Sequence, residues 1–199
     1  MEKIGIFGGT FDPPHIGHLI IADEVLSLLS LSKMVFVPAY SPPHKTTTTP
    51  FEERLTMVRL AIENNEKFIL SDIEKKIAEV YNIESSYSIY TIRELKKIYS
   101  QAELFFIIGS DQFLEFKNWH QPEEILKEVK IGVLLRYGYE LAKEEKEQFF
   151  KDKLIFLEVP QLAIKSSEIR ERIRNNKPFK YFLPEKVYNY IKEKKLYLT

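Results

Sequence analysis

The chain of 199 residues predicts an α/β fold, a doubly wound parallel sheet of five to six strands with helices on both faces and a helical tail at the C-terminus. Three observations predict it. Apolar runs of strand length recur at residues 3–7, 34–39, 68–72, 103–109, 130–136 and 154–159. Segments of helical periodicity lie between most of them, and such alternation marks a parallel sheet buried on both sides. After the last run the alternation stops, and residues 166–175 and 184–194 read as two successive helices. The arrangement is Rossmann-like.

Each element has its own warrant. The run at 3–7 feeds a helix in which Ile16, Leu19, Ile20, Val25, Leu26 and Leu29 recur near the 3.6-residue period, predicting a buried stripe. A second helix starts near Pro50, which suits a first helical position, while Thr49 and Glu52 have capping-box spacing. A third runs from 88 to 99, a fourth covers part of 111–129, and a fifth, highly charged, spans 139–151. There is no internal repeat and no low-complexity linker. The length suits one domain, residues 1–199, with a core at 1–160 and C-terminal helices at 161–199.

Composition narrows the chemistry. Lys plus Arg and Asp plus Glu number 29 each, so no global field attracts nucleic acid or an anionic membrane, and an anion site has to be built locally. Cysteine is absent, which removes disulfides, thiolate nucleophiles and zinc-finger chemistry. No segment approaches 18 consecutive apolar residues and no signal-peptide stretch opens the chain, so a cytoplasmic protein is expected.

The chemistry concentrates in residues 8–18, where a first strand hands over to a first helix. Gly8 and Gly9 allow a sharp turn and close approach to a ligand, and amides at a helix start suit phosphate oxygens. His15 and His18 are three residues apart, so a helix beginning near Pro14 aims both imidazoles at one space. There they could stabilise charge on a leaving pyrophosphate. A zinc site from this pair lacks an evident third ligand nearby. Lys45, after Pro42, Pro43 and His44, either reaches substrate phosphates or stays solvated. Ser166 or Ser167 could cap a helix whose first turn carries Arg170, so hydroxyls, amides and a guanidinium could converge on the β- and γ-phosphates.

The string at 8–18 is neither the dinucleotide fingerprint nor the P-loop. It resembles the H-x-G-H signature of a nucleotidyltransferase superfamily. With Gly8, Gly9, Thr10, Phe11, Asp12 and Pro13 before the histidines, it is similar to the nicotinate-nucleotide adenylyltransferase family. Four further segments agree in order: the P-P-H-K loop ending at Lys45; Ser86 and Tyr87 in an S-Y-T-like segment; the I-I-G-x-D-like strand end at Gly109 and Asp111; and the S-T-x-I-R-like helix start at Ser166, Ser167 and Arg170. The single tryptophan, Trp119, also falls in place.

The resemblance implies one nucleotidyltransferase domain that moves the adenylyl group of ATP to nicotinate mononucleotide, with Mg2+ held mainly by substrate phosphates. It implies ATP contacts from Gly8, Gly9, Thr10, Phe11, His18, Gly109, Asp111, Ser166, Ser167 and Arg170. Mononucleotide contacts fall to Asp12, His44, Lys45, Ser86, Tyr87, Trp119 and Arg136, and catalytic parts to His15, His18, Lys45 and Arg170. Asp111 would accept from the ribose hydroxyls, its alternative being a helix cap, and Trp119 would stack on the pyridine ring, its alternative being a packing anchor. Tyr90, Tyr137 and Lys165 depart from the usual Asp, Pro and Ser. Partners implied are the two small molecules, without nucleic acid or membrane, and a homo-oligomer is compatible with the chain. Left open are nicotinamide mononucleotide or phosphopantetheine as acceptor, and a non-catalytic nucleotide sensor. A class I aminoacyl-tRNA synthetase would need a K-M-S-K-S-type loop that the chain lacks.

Overall fold

Every expected apolar run forms a strand, to within two residues of its expected ends: β1 (Glu2–Gly9), β2 (Lys33–Pro38), β3 (Phe68–Leu70), β4 (Ala102–Gly109), β5 (Lys130–Leu135) and β6 (Leu154–Glu158). They come from a computed structural model that describes residues 1–42, 49–82, 85–135, 152–160 and 162–198. The strands form one sheet of order β3-β2-β1-β4-β5-β6, parallel throughout. The chain thus winds outward from β1 in one direction, returns to pair β4 with β1, and winds outward again. That reversal opens a crevice beyond the carboxyl ends of β1 and β4, where doubly wound sheets bind ligands.

The helices are α1 (Ile16–Leu28), α2 (Phe51–Ile62), α3 (Ile73–Tyr81), α4 (Ser88–Ile98), α5 (Ser110–Leu114), α6 (Pro122–Glu128), α7 (Ser166–Arg174) and α8 (Glu185–Lys194). The helix expected at 139–151 lies outside the described residues. Alternate strand residues serve opposite faces. Ile4, Ile6, Leu104, Phe106 and Ile108 pack with residues of α3, α4 and α6, while Phe7, Phe105 and Ile107 pack with residues of α1 and α2. Each such side chain contributes roughly 1.5–3 kcal/mol on full burial.

Four local expectations need correction. Helix α3 was not anticipated; it buries only Ile73 and Ile77, and a single i, i+4 apolar pair among charged residues is a faint signal. Pro50 stands at the cap position rather than the first helical one, with no side-chain cap, and Thr49 is buried one residue earlier. In α1 the fully buried positions are Gly17, Ala22, Val25 and Leu26, whereas Ile16, Leu19 and Ile20 are half-buried near the crevice. The stretch 111–129 breaks into α5, a single 3-10 turn at Phe116–Asn118, and α6.

The tail does not pack on the sheet. Ile169 and Ile173 of α7, with Leu183, Val187, Ile191 and Tyr197, form a separate cluster around Met57 of α2, joined by Leu60 and Ala61. Docking on α2 brings the start of α7 beside the loop that follows β1. Among the described residues, no helix is long and apolar enough to cross a membrane.

Candidate active site

Two close-packed features shape the loop after β1. A Cβ on Gly9 would lie 3.0 Å from Cζ of Phe11, so glycine gives that ring room to fold back over the strand end without being displaced. Phe11 does so at φ 50°, a left-handed setting that costs a bulky residue energy, and its ring is buried. The expected Phe11 contact to ATP is therefore open only to its backbone. The ring instead braces His18 edge-on, centroids 5.0 Å apart.

Helix α1 starts at Ile16 rather than near Pro14, with His15 as its cap residue. The two imidazoles do converge: their rings stack with centroids 3.7 Å apart and planes 27° apart. The backbone N–H of His15 donates to Nδ1 of His18 at 3.1 Å. A backbone N–H can only donate, so Nδ1 is an acceptor and the proton of neutral His18 resides on Nε2, ready to be given to a ligand. Gly17 makes room for the stack, since a Cβ there would stand 3.0 Å from Nδ1 of His15.

His15 is 6% exposed, and burial pushes its pKa down to about 4. It is therefore a neutral dipole at pH 7, not a cation. The unfolded chain, titrating near 6.5, binds more protons than the folded chain between about pH 6.5 and 4, so stability falls as pH falls through that window. Glu74, whose carboxyl burial raises, acts in the opposite sense, favouring the fold at low pH and opposing it as pH rises. A variant comparison separates the two. We expect wild type to lose about 1–2 kcal/mol more than His15→Gln between pH 7 and pH 5, measured by urea unfolding. Parallel profiles would contradict a buried neutral His15.

The tail closes the loop from below. The Ser166 hydroxyl donates to the Pro13 carbonyl at 2.8 Å, so neither it nor exposed Ser167 caps α7, whose cap position is Lys165. Arg170 lies one turn into α7 and donates through Nη1 to the Asp12 carbonyl at 2.6 Å. The carboxylate of Asp12, expected at the mononucleotide, is instead buried and accepts from the Tyr197 hydroxyl at 2.7 Å.

On the other wall, Gly109 occupies the cap position of α5 and its N–H is taken by the Gln112 side chain at 3.1 Å, leaving exposed Asp111 in the first turn without the capping role. Gly8, whose Cβ would meet only Phe106 at 3.9 Å, keeps the β1 side open. Trp119 is half-buried, packed against Phe116 at 5.4 Å and edge-on to Phe106 at 6.2 Å, so it anchors packing whatever its outer face binds. Ser86 is committed: its Oγ accepts from the Ser41 N–H at 2.9 Å, and it hydrogen-bonds the buried carboxyl of Glu74. Tyr87 stands at the cap of α4 with its ring over His120, centroids 4.5 Å apart, and the Tyr90 hydroxyl meets His120 Nε2 at 3.3 Å. His44, Lys45, Arg136 and Tyr137 lie outside the described residues.

Sequence reasoning missed Arg54, Glu74 and Tyr197. Arg54 is 1% exposed and spans the ends of β1 and β2, donating to the carbonyls of Thr10 (2.8 Å), Thr49 (3.2 Å) and Tyr40 (3.4 Å). Glu74 accepts from the Tyr40 N–H at 2.9 Å and the Thr91 hydroxyl at 3.2 Å. Nothing local in the sequence distinguishes Arg54 and Glu74 from surface charges on helices, or Tyr197 from an ordinary residue of the chain's tail.

Among the described residues, three buried side-chain polar atoms have no hydrogen-bond partner: His15 Nδ1, Ser110 Oγ and Arg170 Nε. Buried polar groups are nearly always paired, and exceptions ask for a functional reason. All three belong to the segments that surround one crevice.

Residues 6–172 match the model of the Cytidylyltransferase-like family. A Geobacillus thermodenitrificans protein named "Probable nicotinate-nucleotide adenylyltransferase" is 42% identical over 199 residues, covering 99% of this chain and 87% of its own. One of the same name from Exiguobacterium sibiricum is 38% identical over 198 residues, covering 99% and 100%. A solved Plasmodium falciparum nicotinic acid mononucleotide adenylyltransferase, complexed with NaAD, has the same fold, with a TM-score of 0.81 at 22% identity over 99% of this chain and 98% of that one. With such identity sustained over 99% of its length, inside a family model that reaches from β1 into α7, the chain belongs to the nicotinate-nucleotide adenylyltransferase family of cytidylyltransferase-like proteins.

Proposed function

We propose that the chain transfers the adenylyl group of ATP to nicotinate mononucleotide, giving nicotinate adenine dinucleotide and pyrophosphate in NAD biosynthesis. The observation that carries this reading is the stacked His15–His18 pair at the sheet's switch point, in which Nδ1 of His18 accepts from the His15 N–H and the proton of the neutral ring is left on Nε2. Relatives of 38% and 42% identity bear the name of this activity.

The 5′-phosphate oxygen of the mononucleotide attacks the α-phosphorus of ATP in line, the bond to the β-phosphate bridge breaks, and pyrophosphate leaves. A phosphate monoester is already largely ionised at neutral pH, so no general base is required. The chain's task is positioning and charge stabilisation. His18 Nε2–H and the dipole of His15 serve the phosphate oxygens. Arg170, tied to the loop through one Nη, offers its remaining N–H groups to the β- and γ-phosphates, and Lys45 is assigned the same duty from its loop. Gly109 and Asp111 take the adenosine. The amides at the start of α4 beside Tyr87, together with the ring of Trp119, take the nicotinate end, with His44, Ser86, Asp12 and Arg136 around it; Ser86 and Asp12 shape the pocket, since the hydroxyl and N–H of Ser86 and the carboxylate and carbonyl of Asp12 are engaged within the protein.

Among the described residues, no group of three or more His, Cys, Asp or Glu side chains could hold a metal ion. The donors of the crevice suit phosphate oxygens, so Mg2+ fits as part of the substrate, carried on ATP, where it supplies charge neutralisation. The reading uses one domain, residues 1–199, acting on small molecules in the cytoplasm without nucleic acid or membrane.

The test is pyrophosphate release from ATP and Mg2+ with nicotinate mononucleotide, nicotinamide mononucleotide or phosphopantetheine as acceptor. A clear preference for the nicotinate compound is expected. Comparable rates with both mononucleotides would overturn the nicotinate assignment, activity only with phosphopantetheine would overturn the reaction, and ATP binding without release would favour a sensor.

A further inference from the structure

Two residues held at left-handed backbone angles meet at one carboxylate. Phe11, at φ 50°, directly precedes Asp12, and Tyr197, at φ 64°, delivers the hydroxyl that Asp12 accepts at 2.7 Å. Neither angle is easily kept by a bulky residue, and strain of this kind persists where surrounding structure fixes it, most often at functional sites. Tyr197 lies 9% exposed beyond α8, its ring in the cluster around Met57 and its hydroxyl also bonded by the Thr49 side chain. The tail therefore reaches past α2 to the loop that presents both histidines, and it grips that loop at three points: Tyr197 on the Asp12 carboxylate, Arg170 on the Asp12 carbonyl, and Ser166 on the Pro13 carbonyl.

We propose that Tyr197 is a positioning residue for adenylyl transfer, holding Asp12 so that His15 and His18 stand in register with the phosphates. It touches neither substrate in this account, which rests on the functional reading above. The Tyr197–Asp12 bond acts through two residues of backbone, from Asp12 to the Pro14 that precedes the cap histidine. Loss of the hydroxyl removes one hydrogen bond that orients the carboxylate and loosens the hold on the strained angle at Phe11, which shifts the stacked pair.

The test compares full-length wild type, Tyr197→Phe and Tyr190→Phe. Tyr190 supplies the control: it sits in the same tail and donates to Glu53 Oε2 at 2.6 Å, a partner on α2 rather than on the loop. Phenylalanine at 197 keeps the ring packed and removes only the oxygen. For Tyr197→Phe we expect kcat to fall at least about tenfold, with KM for ATP changed less than about twofold. In ¹⁵N-imidazole NMR, the His15 and His18 ring signals should move among those of the chain's four histidines. Tyr190→Phe should leave kcat and both ring signals in place. Equal effects from the two variants, unchanged ring signals in Tyr197→Phe, or loss of its fold at 25 °C would each reduce Tyr197 to an ordinary staple and overturn the proposal. The ring signals are read without turnover, so a wild type that releases no pyrophosphate would end the functional reading while the positioning claim is still decided by NMR.

Discussion

Replacement of His18 by alanine is expected to lower turnover by about 10²–10³-fold, the range seen when one preorganised donor is removed from developing negative charge. The magnitude follows from what the residue is held to do. Its Nδ1 is occupied by the His15 N–H, its ring is braced by Phe11 at 5.0 Å and Phe7 at 6.2 Å, and its remaining nitrogen must carry the proton. The donor is thus in place before substrate arrives, with little reorganisation left for the reaction step. Alanine also removes the acceptor for the His15 N–H, the part of the helix cap that His18 supplies, a loss of about 1 kcal/mol in stability. Two further variants separate the roles. His18→Asn sets an amide oxygen near the Nδ1 position, so the cap and wild-type stability should return while turnover stays low. His18→Gln reaches toward the Nε2 position and should recover part of the turnover without the cap. Near-normal turnover in a folded His18→Ala protein would sink the assignment, as would recovery in His18→Asn.

The contrast between what could and could not be read from sequence lies in how far apart the cooperating residues are. His15 and His18 are bound by one short string, and they converge although His15 stands at the helix cap in extended backbone rather than in the first helical turn. The strands were legible because a sheet covered on both faces needs nearly continuous apolar runs, which Ile4, Ile6, Phe7 and residues 104–108 provide. Residues at the crevice that bond across distant segments were not legible. Ser166 reads as a helix cap because a hydroxyl before an apolar period usually is one, yet it spends its hydrogen on Pro13, 153 positions away. Asp12 reads as a ligand residue because it lies in the motif, and only the fold shows that Tyr197, 185 positions away, already holds it. Trp119 remained undecided between stacking and packing because both require a half-buried aromatic face.

Arg54 is the extreme case, since a charged residue on an amphipathic helix is ordinarily solvated, and its replacement is expected to have the largest effect on stability. Arg54, 1% exposed, feels two carboxyl-bearing residues, buried Asp12 and half-buried Glu74; burial lowers its pKa while Asp12 raises it. Its donors reach three carbonyls on separate segments, a span that only a rigid planar fork with five N–H groups can satisfy. Arg54→Met keeps much of the volume but strands those acceptors and leaves two carboxyl groups without their cation. Removing one partner of a buried charged set costs about 3–5 kcal/mol, against a total stability of about 5–15 kcal/mol for a typical protein. We therefore expect Arg54→Met to lower Tm by roughly 10 °C or more and to shift the urea midpoint in proportion. Arg54→Lys should fall between, since one ammonium retains the charge but cannot span Thr10, Thr49 and Tyr40 together. A methionine variant within about 1 kcal/mol of wild type would mean that the carbonyls and carboxylates find other partners, and the network would then be packing around a charge rather than structure built on it.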